Sequence, residues 1–183
     1  SATEDYTWQR SVYEYAWGDK ARGLNGLGHI LHLIQDLTVP EHTRNDPHPP
    51  GIDGSPYEDW TSKFDRKTIN VDMAGVLPIH YPTLAEYFNH VAGYTNANFF
   101  SADTLLDKRY AEPKILTEKS ENIGGKKYVF AYKGISRLAE VYIHPNTGEK
   151  IYSLINDHVL SSYWSLLSKQ AVANGAGVIN LFF

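Results

Sequence analysis

The chain has no cysteine, no apolar run long enough to span a membrane and no basic stripe. Without thiols it makes no disulfide and no thiolate zinc site, so any strongly bound metal must be held by His, Asp or Glu. No stretch of 18 or more apolar residues is present, which excludes a transmembrane helix of ordinary length. No charged-then-apolar leader opens the chain, and the question of a leader already removed stays open. Seventeen Lys and Arg against 21 Asp and Glu give a net charge of -4. Nucleic acid would therefore need a local site rather than a general electrostatic footprint. Also missing are a Gly-rich phosphate loop, a Gly-x-Ser-x-Gly elbow and a cysteine nucleophile, the marks of other common hydrolase designs.

What is present is a concentration of histidine and carboxylate. The segment HLIQDLTVPEHTRNDPH places His32, Asp36, His42, Asp46 and His48 within seventeen positions. His32 and Asp36 stand four apart in GLGHILHLIQDL, where Leu24, Leu27, Ile30, Leu31 and Ile34 recur at helical spacing, so both project from one helix face. Pro40 disfavours helical geometry in the residue before it, which ends the helix and turns the chain with His42 just beyond. His29, three before His32, shares that face and is a candidate outer partner to a ligand or a packing residue; Asp46 is a second candidate outer partner.

Elsewhere the pattern predicts a helix from about Glu4 to Trp17, with Thr3 as cap and Tyr6, Val12, Tyr13, Ala16 and Trp17 buried. A second runs from Asp19, its cap, to about Leu37. It contains Gly23, Gly26 and Gly28, each costing roughly 1 kcal/mol in a helix interior, and their repetition predicts close approach of another helix or a crowded site. Residues 43 to 56 are a Pro- and Gly-rich loop. Ser55 then caps a helix through Trp60 and Phe64, with Glu58 three positions on in a capping-box arrangement. A further helix runs from Thr83 or Leu84 to about Phe100. The stretch from about 115 to 152, with KKYVFAY, RLAEVYIH and a turn at Pro145 to Gly148, predicts a small antiparallel β insert. A last helix from about Asn156 to Phe182 closes a single domain over residues 1–183. The fold expected is mainly α, a multi-helix bundle carrying that β insert.

The pattern HxxxDxxxPxH, here His32, Asp36, Pro40 and His42, resembles the zinc-dependent phospholipase C superfamily, which also contains the zinc-dependent single-strand nucleases. The C-terminal SSYWSLLSKQAVANGAGVINLFF is similar to that family's closing helix, although less diagnostic. The resemblance implies that His32 and Asp36 serve one zinc, with the aspartate able to bridge to another. It places His42 on a separate zinc with a second histidine and a downstream carboxylate, the place taken by Glu58 in SPYEDW. The family commonly has a histidine four before that carboxylate; Gly54 stands there, and His48 is the natural substitute. The family's further ligands precede the HxxxD helix, whereas the first histidine of this chain is His29.

The expectation is a zinc-dependent phosphoesterase of the phospholipase C type, secreted or periplasmic. A metal-activated water would attack a phospholipid or nucleic-acid phosphodiester. One to three zinc ions are implied for the parent and fewer for this chain, which is expected to be a fragment of a longer precursor, weakly active without the N-terminal part of the same protein. Its 24 aromatic residues (13% of the chain) admit a peripheral membrane contact. The rival is a non-catalytic helical module that binds a metal or a partner. His32, Asp36, His42, His48 and Glu58 are expected to converge in space.

Overall fold

The computed structural model describes residues 5–49, 54–63, 73–105, 107–110, 113–115 and 117–183. In chain order it contains α1 (Trp8–Trp17), α2 (Lys20–Asp36), a single turn α3 (Pro40–Thr43), a short α4 (Pro56–Thr61) and α5 (Leu84–Asn98). Strands β1 (Thr117–Ile123), β2 (Lys126–Lys133), β3 (Ser136–Ile143) and β4 (Lys150–Ser153) follow, and α6 (Asp157–Phe182) ends the chain. The strands form one antiparallel sheet in the order β1-β2-β3-β4, each pair joined by a local turn.

The expectation of a mainly α bundle with a small insert is overturned. Helix accounts for 48% and strand for 17%, a mixed α/β fold. The predicted stretch, 115–152, matches the extent of the sheet but not its weight in the structure. Phe130, Ala131, Tyr132, Leu138, Ala139 and Val141 of β2 and β3 enter the larger core with Phe99, Phe100, Val159, Leu160, Tyr163 and Leu167. Tyr163 fixes that junction: its hydroxyl donates to the Leu138 carbonyl (2.8 Å) and accepts from the Phe100 amide (3.2 Å). A second core joins Leu27, Ile30 and Ile34 of α2 to Tyr87 and Val91 of α5 and to Val178 and Phe182 of α6. The two halves of α6 thus serve different cores, the first under the sheet and the second among helices.

Local chemistry explains the helix starts. Asp19 caps α2 by accepting from the amides of Ala21 and Arg22, Thr83 and Glu86 form a capping box on α5, and Asn156 caps α6. The first helix departs from expectation. Thr7, not Thr3, is the cap seen, and Thr3 and Glu4 lie outside the described residues. Its buried residues are Ser11 and Glu14, while Val12, Tyr13 and Trp17 face outward, Trp17 with 83% of its surface exposed. Where α1 meets α2 there is room only for the small Ser11, because Gly23 and Gly26 bring α2 against the backbone of Tyr15 and the side chain of Ser11; the Trp8 and Tyr15 rings pack beside this contact, against Phe182 of the second core. Leu24 is likewise exposed. The third predicted helix ends at Thr61, and Phe64 lies outside the described residues.

Candidate metal centre

Three consecutive turns of chain build the site. Helix α2 ends at Asp36, Val39 turns into extended geometry, and Pro40 starts α3, where its missing N–H costs nothing. After α3, Asn45 takes a left-handed conformation (φ 50°), and the chain folds back so that the Asp46 amide donates to the Glu41 carbonyl (3.1 Å). That return is anchored from outside. Arg44 is buried; its Nε donates to Thr104 Oγ1 (2.6 Å) and its Nη1 to the Asn96 carbonyl (3.1 Å), while Asp46 Oδ2 accepts from the Asp103 amide (3.1 Å). Ser55 starts α4 by accepting from the Glu58 amide (3.1 Å). Its partner in the expected capping box does not turn back, because the Glu58 carboxylate points to the histidines.

His42, His48 and Glu58 offer ligand atoms that all lie within 4.8 Å of one another. The two rings are nearly parallel (11°), with Nε2 atoms 3.2 Å apart. Glu58 Oε2 is 3.0 Å from His48 Nε2, and Oε1 is 3.7 Å from His42 Nε2. Each Nδ1 lies against a main-chain carbonyl, that of His42 at 3.1 Å from Asp36 O and that of His48 at 3.0 Å from Asp46 O. A carbonyl only accepts, so both Nδ1 atoms carry the hydrogen, and the Nε2 of each neutral ring presents a lone pair. Two lone pairs facing at 3.2 Å beside a carboxylate repel unless positive charge, a proton or a metal ion, lies among them. His48 feels this demand: burial lowers the affinity of its ring for a proton, but the Asp46 carbonyl and the Glu58, Glu41 and Asp46 carboxylates outweigh it and hold the imidazole above its usual value.

The donor set suits zinc. Two imidazole nitrogens and one carboxylate are borderline ligands of the right kind, and two nitrogens each 2.0–2.1 Å from a tetrahedral ion lie about 3.3–3.4 Å apart. The separation of 3.2 Å in this structure is close to that. The carbonyl bonds at both Nδ1 atoms are the outer partners that fix ring tautomer and direction in zinc sites. The side chains keep 29%, 19% and 41% of their surfaces exposed for His42, His48 and Glu58, which leaves one side open to water or a substrate.

The five expected ligands fall into two groups. His32 Nε2 is 3.5 Å from Asp36 Oδ2 on the outer surface of α2, a pair suited to sharing one ion. Among the described residues no third His, Asp or Glu joins it to make a ligand cluster. Asp36 connects the groups, with its carboxylate facing His32 and its carbonyl orienting His42. Asp46 acts as an outer partner through its carbonyl. His29 stacks on Tyr6, with ring centroids 4.0 Å apart, which is the packing role. Sequence reasoning missed Arg44 and Glu41. Glu41 is buried, and burial pushes its carboxyl up to about 7, with Asp46 adding to the shift and Ser55 and His48 opposing it. Among the described residues no helix is long and apolar enough to cross a membrane.

Searches of protein-family models, of curated proteins and of solved structures find no match.

Proposed function

We propose that this chain is a zinc-binding domain of a phosphoester hydrolase of the phospholipase C type. One observation carries the reading: two Nε2 lone pairs and a carboxylate converge on one point, each ring already oriented by a main-chain carbonyl. Zinc bound there would supply Lewis acidity toward a phosphate oxygen and would lower the pKa of a water molecule. The chain's own contribution is positional. The Nδ1 bonds of His42 and His48 fix the ring tautomer and turn both Nε2 atoms toward the site, Glu58 offsets charge, and the open side admits the phosphate. The His32–Asp36 pair fits the resembled family's other ion, whose remaining ligands would come from upstream of His29. The net charge of -4 and the exposed rings of Tyr13 and Trp17 favour a phospholipid or small phosphoester over nucleic acid.

A second reading keeps the zinc and drops the chemistry. The His32–Asp36 pair is two ligands short of a four-coordinate site, which favours a module that binds one ion for stability or for a partner. Turnover separates the two. Zinc-loaded protein is assayed on a phosphocholine ester, on bis(p-nitrophenyl) phosphate and on single-stranded DNA, beside His48→Ala and a chelated sample. The hydrolase reading expects slow zinc-dependent hydrolysis that His48→Ala removes. Zinc binding with no turnover on any ester selects the binding module, and hydrolysis that survives chelation refutes both roles for the site.

A further inference from the structure

The residues from Thr43 to Pro47 separate His42 from His48, and one distant stretch of chain holds them at Thr43, Arg44 and Asp46. The Thr43 carbonyl accepts from Asn96 Nδ2 (3.1 Å). Arg44 reaches back to the same asparagine: its Nη1 donates to the Asn96 carbonyl (3.1 Å) and to Asn96 Oδ1 (3.2 Å). Its Nε donates to Thr104 Oγ1 (2.6 Å), and the Asp46 carboxylate accepts from the Asp103 amide (3.1 Å). Thr104 is fixed in turn, since its hydroxyl lies 2.5 Å from Ser101 Oγ and both residues are buried. The bonds also suit the end of α5. The Asn96 carbonyl is among the last four of that helix, which find no partner within it, and a guanidinium is favoured at the negative end of the helix dipole.

We infer that Asn96 and Thr104 are positioning residues, a role that rests on the zinc reading above: by gripping Thr43 and Arg44 they set the spacing between the Nε2 atoms of His42 and His48. The turn needs an external hold for two reasons. Asn45 takes a left-handed conformation (φ 50°), which residues with a side chain rarely adopt and which persists only where the surroundings dictate it. The rings at the two ends of the turn face each other through Nε2 lone pairs 3.2 Å apart, and their repulsion pushes the turn open. Ligands kept at the spacing of the ion lose little freedom when it binds, so such a hold raises affinity without a bond to the metal.

The test is zinc affinity at fixed pH, measured by competition with a chromophoric chelator. It is joined to the visible spectrum of the Co2+-loaded protein, whose d–d bands report coordination geometry. The full chain is compared as wild type, Asn96→Ala, Thr104→Val, Thr104→Ser and Gly23→Ala. The last is a control for lowered stability away from the site, since its added methyl group would meet the backbone of α1. Asn96→Ala and Thr104→Val should each lose about tenfold in zinc affinity, the lower end of what removing an outer partner costs, and should shift the Co2+ bands. Thr104→Ser keeps the hydroxyl, and with Gly23→Ala it should stay within about threefold of wild type with unchanged bands. Should Thr104→Val not fold, Asn96→Ala reads the same hold, because the half-buried Asn96 leaves its main-chain bond to Arg44 in place. Wild-type affinity and spectrum in Asn96→Ala and Thr104→Val would overturn the positioning role while leaving the zinc reading in place. So would a Thr104→Ser protein as weak as Thr104→Val, or an equal loss in Gly23→Ala. A wild-type protein that binds no zinc overturns the zinc reading and the positioning role together.

Discussion

Replacing Gly23 and Gly28 by alanine, one at a time, should shift stability in opposite directions although both sit in α2. At Gly28 a methyl group would meet nothing within 4 Å, so the substitution gains the intrinsic preference of alanine, about 1 kcal/mol. At Gly23 the same methyl would lie 2.6 Å from the Tyr15 amide nitrogen and 2.8 Å from both the Ser11 carbonyl oxygen and Tyr15 Cα. These are backbone atoms of α1 that no rotamer change can move, so the helices must separate. Overpacking costs typically 1–3 kcal/mol, and contact with backbone belongs at the upper end. After the propensity gain of about 1 kcal/mol, Gly23→Ala should be about 2 kcal/mol less stable than wild type. A domain of this size moves about 2–4 °C per kcal/mol, so thermal melts should show Gly28→Ala up by about 2–4 °C and Gly23→Ala down by about 4–8 °C. A Gly23→Ala protein as stable as Gly28→Ala would refute the close α1–α2 packing and the reason given for the outward-facing aromatics of α1.

Zinc at 100 times its dissociation constant should add about 2.7 kcal/mol to stability, read as a rise in Tm of roughly 5–10 °C that chelator reverses and that Glu58→Ala or His48→Ala does not show. Its affinity should fall as pH drops, beginning above the ordinary imidazole range, because His48 is held above its usual value and a proton taken up there removes a lone pair that binds metal; a zinc isotherm independent of pH would count against histidine ligation. Arg44→Ala should destabilise by about 3 kcal/mol in urea unfolding, because Thr104 and Asn96 lose a buried partner and the chain return to Asp46 loses its anchor. A change below about 1 kcal/mol would show that this return does not depend on Arg44.

The parts of this molecule legible in its sequence are those governed by short-range rules. Asp19, Thr83 and Asn156 mark helix starts because capping acts within three residues. Pro40 marks the turn after the HxxxD helix for a similarly local reason. His48 was identifiable as the partner of His42 because the Pro-rich loop between α3 and α4 is short enough to bring it back. Of the long-range packing, the repeated glycines of α2 announced a close approach, which Gly23 and Gly26 make to α1, but not which face of α1 they meet. The fully buried residues of α1 are Ser11 and Glu14, since glycines of the next helix set how closely the two approach, and its inward rings are Trp8 and Tyr15; the periodicity of Val12, Tyr13 and Trp17 pointed to the wrong side. Glu41 lies in a helix of four residues, too short for periodicity to say which side is buried. Arg44 is explained by Asn96 and Thr104, more than fifty positions away, and no local pattern announces that pairing. The weight of the sheet was underestimated for a related reason. β1, TEKSENI, is charged and largely exposed, whereas the apolar contribution comes from β2 and β3 packing on a helix that follows them in the chain.

Crystals of the protein equilibrated with zinc, with anomalous difference maps recorded on both sides of the zinc edge, test the central claim most directly. The account predicts a peak about 2.0–2.1 Å from Nε2 of both His42 and His48 and about 2.0–2.2 Å from a Glu58 carboxylate oxygen, with water or substrate at the open position. Density there that shows no anomalous signal, or a zinc peak found at His32 and Asp36 and absent from the His42–His48–Glu58 group, would contradict it.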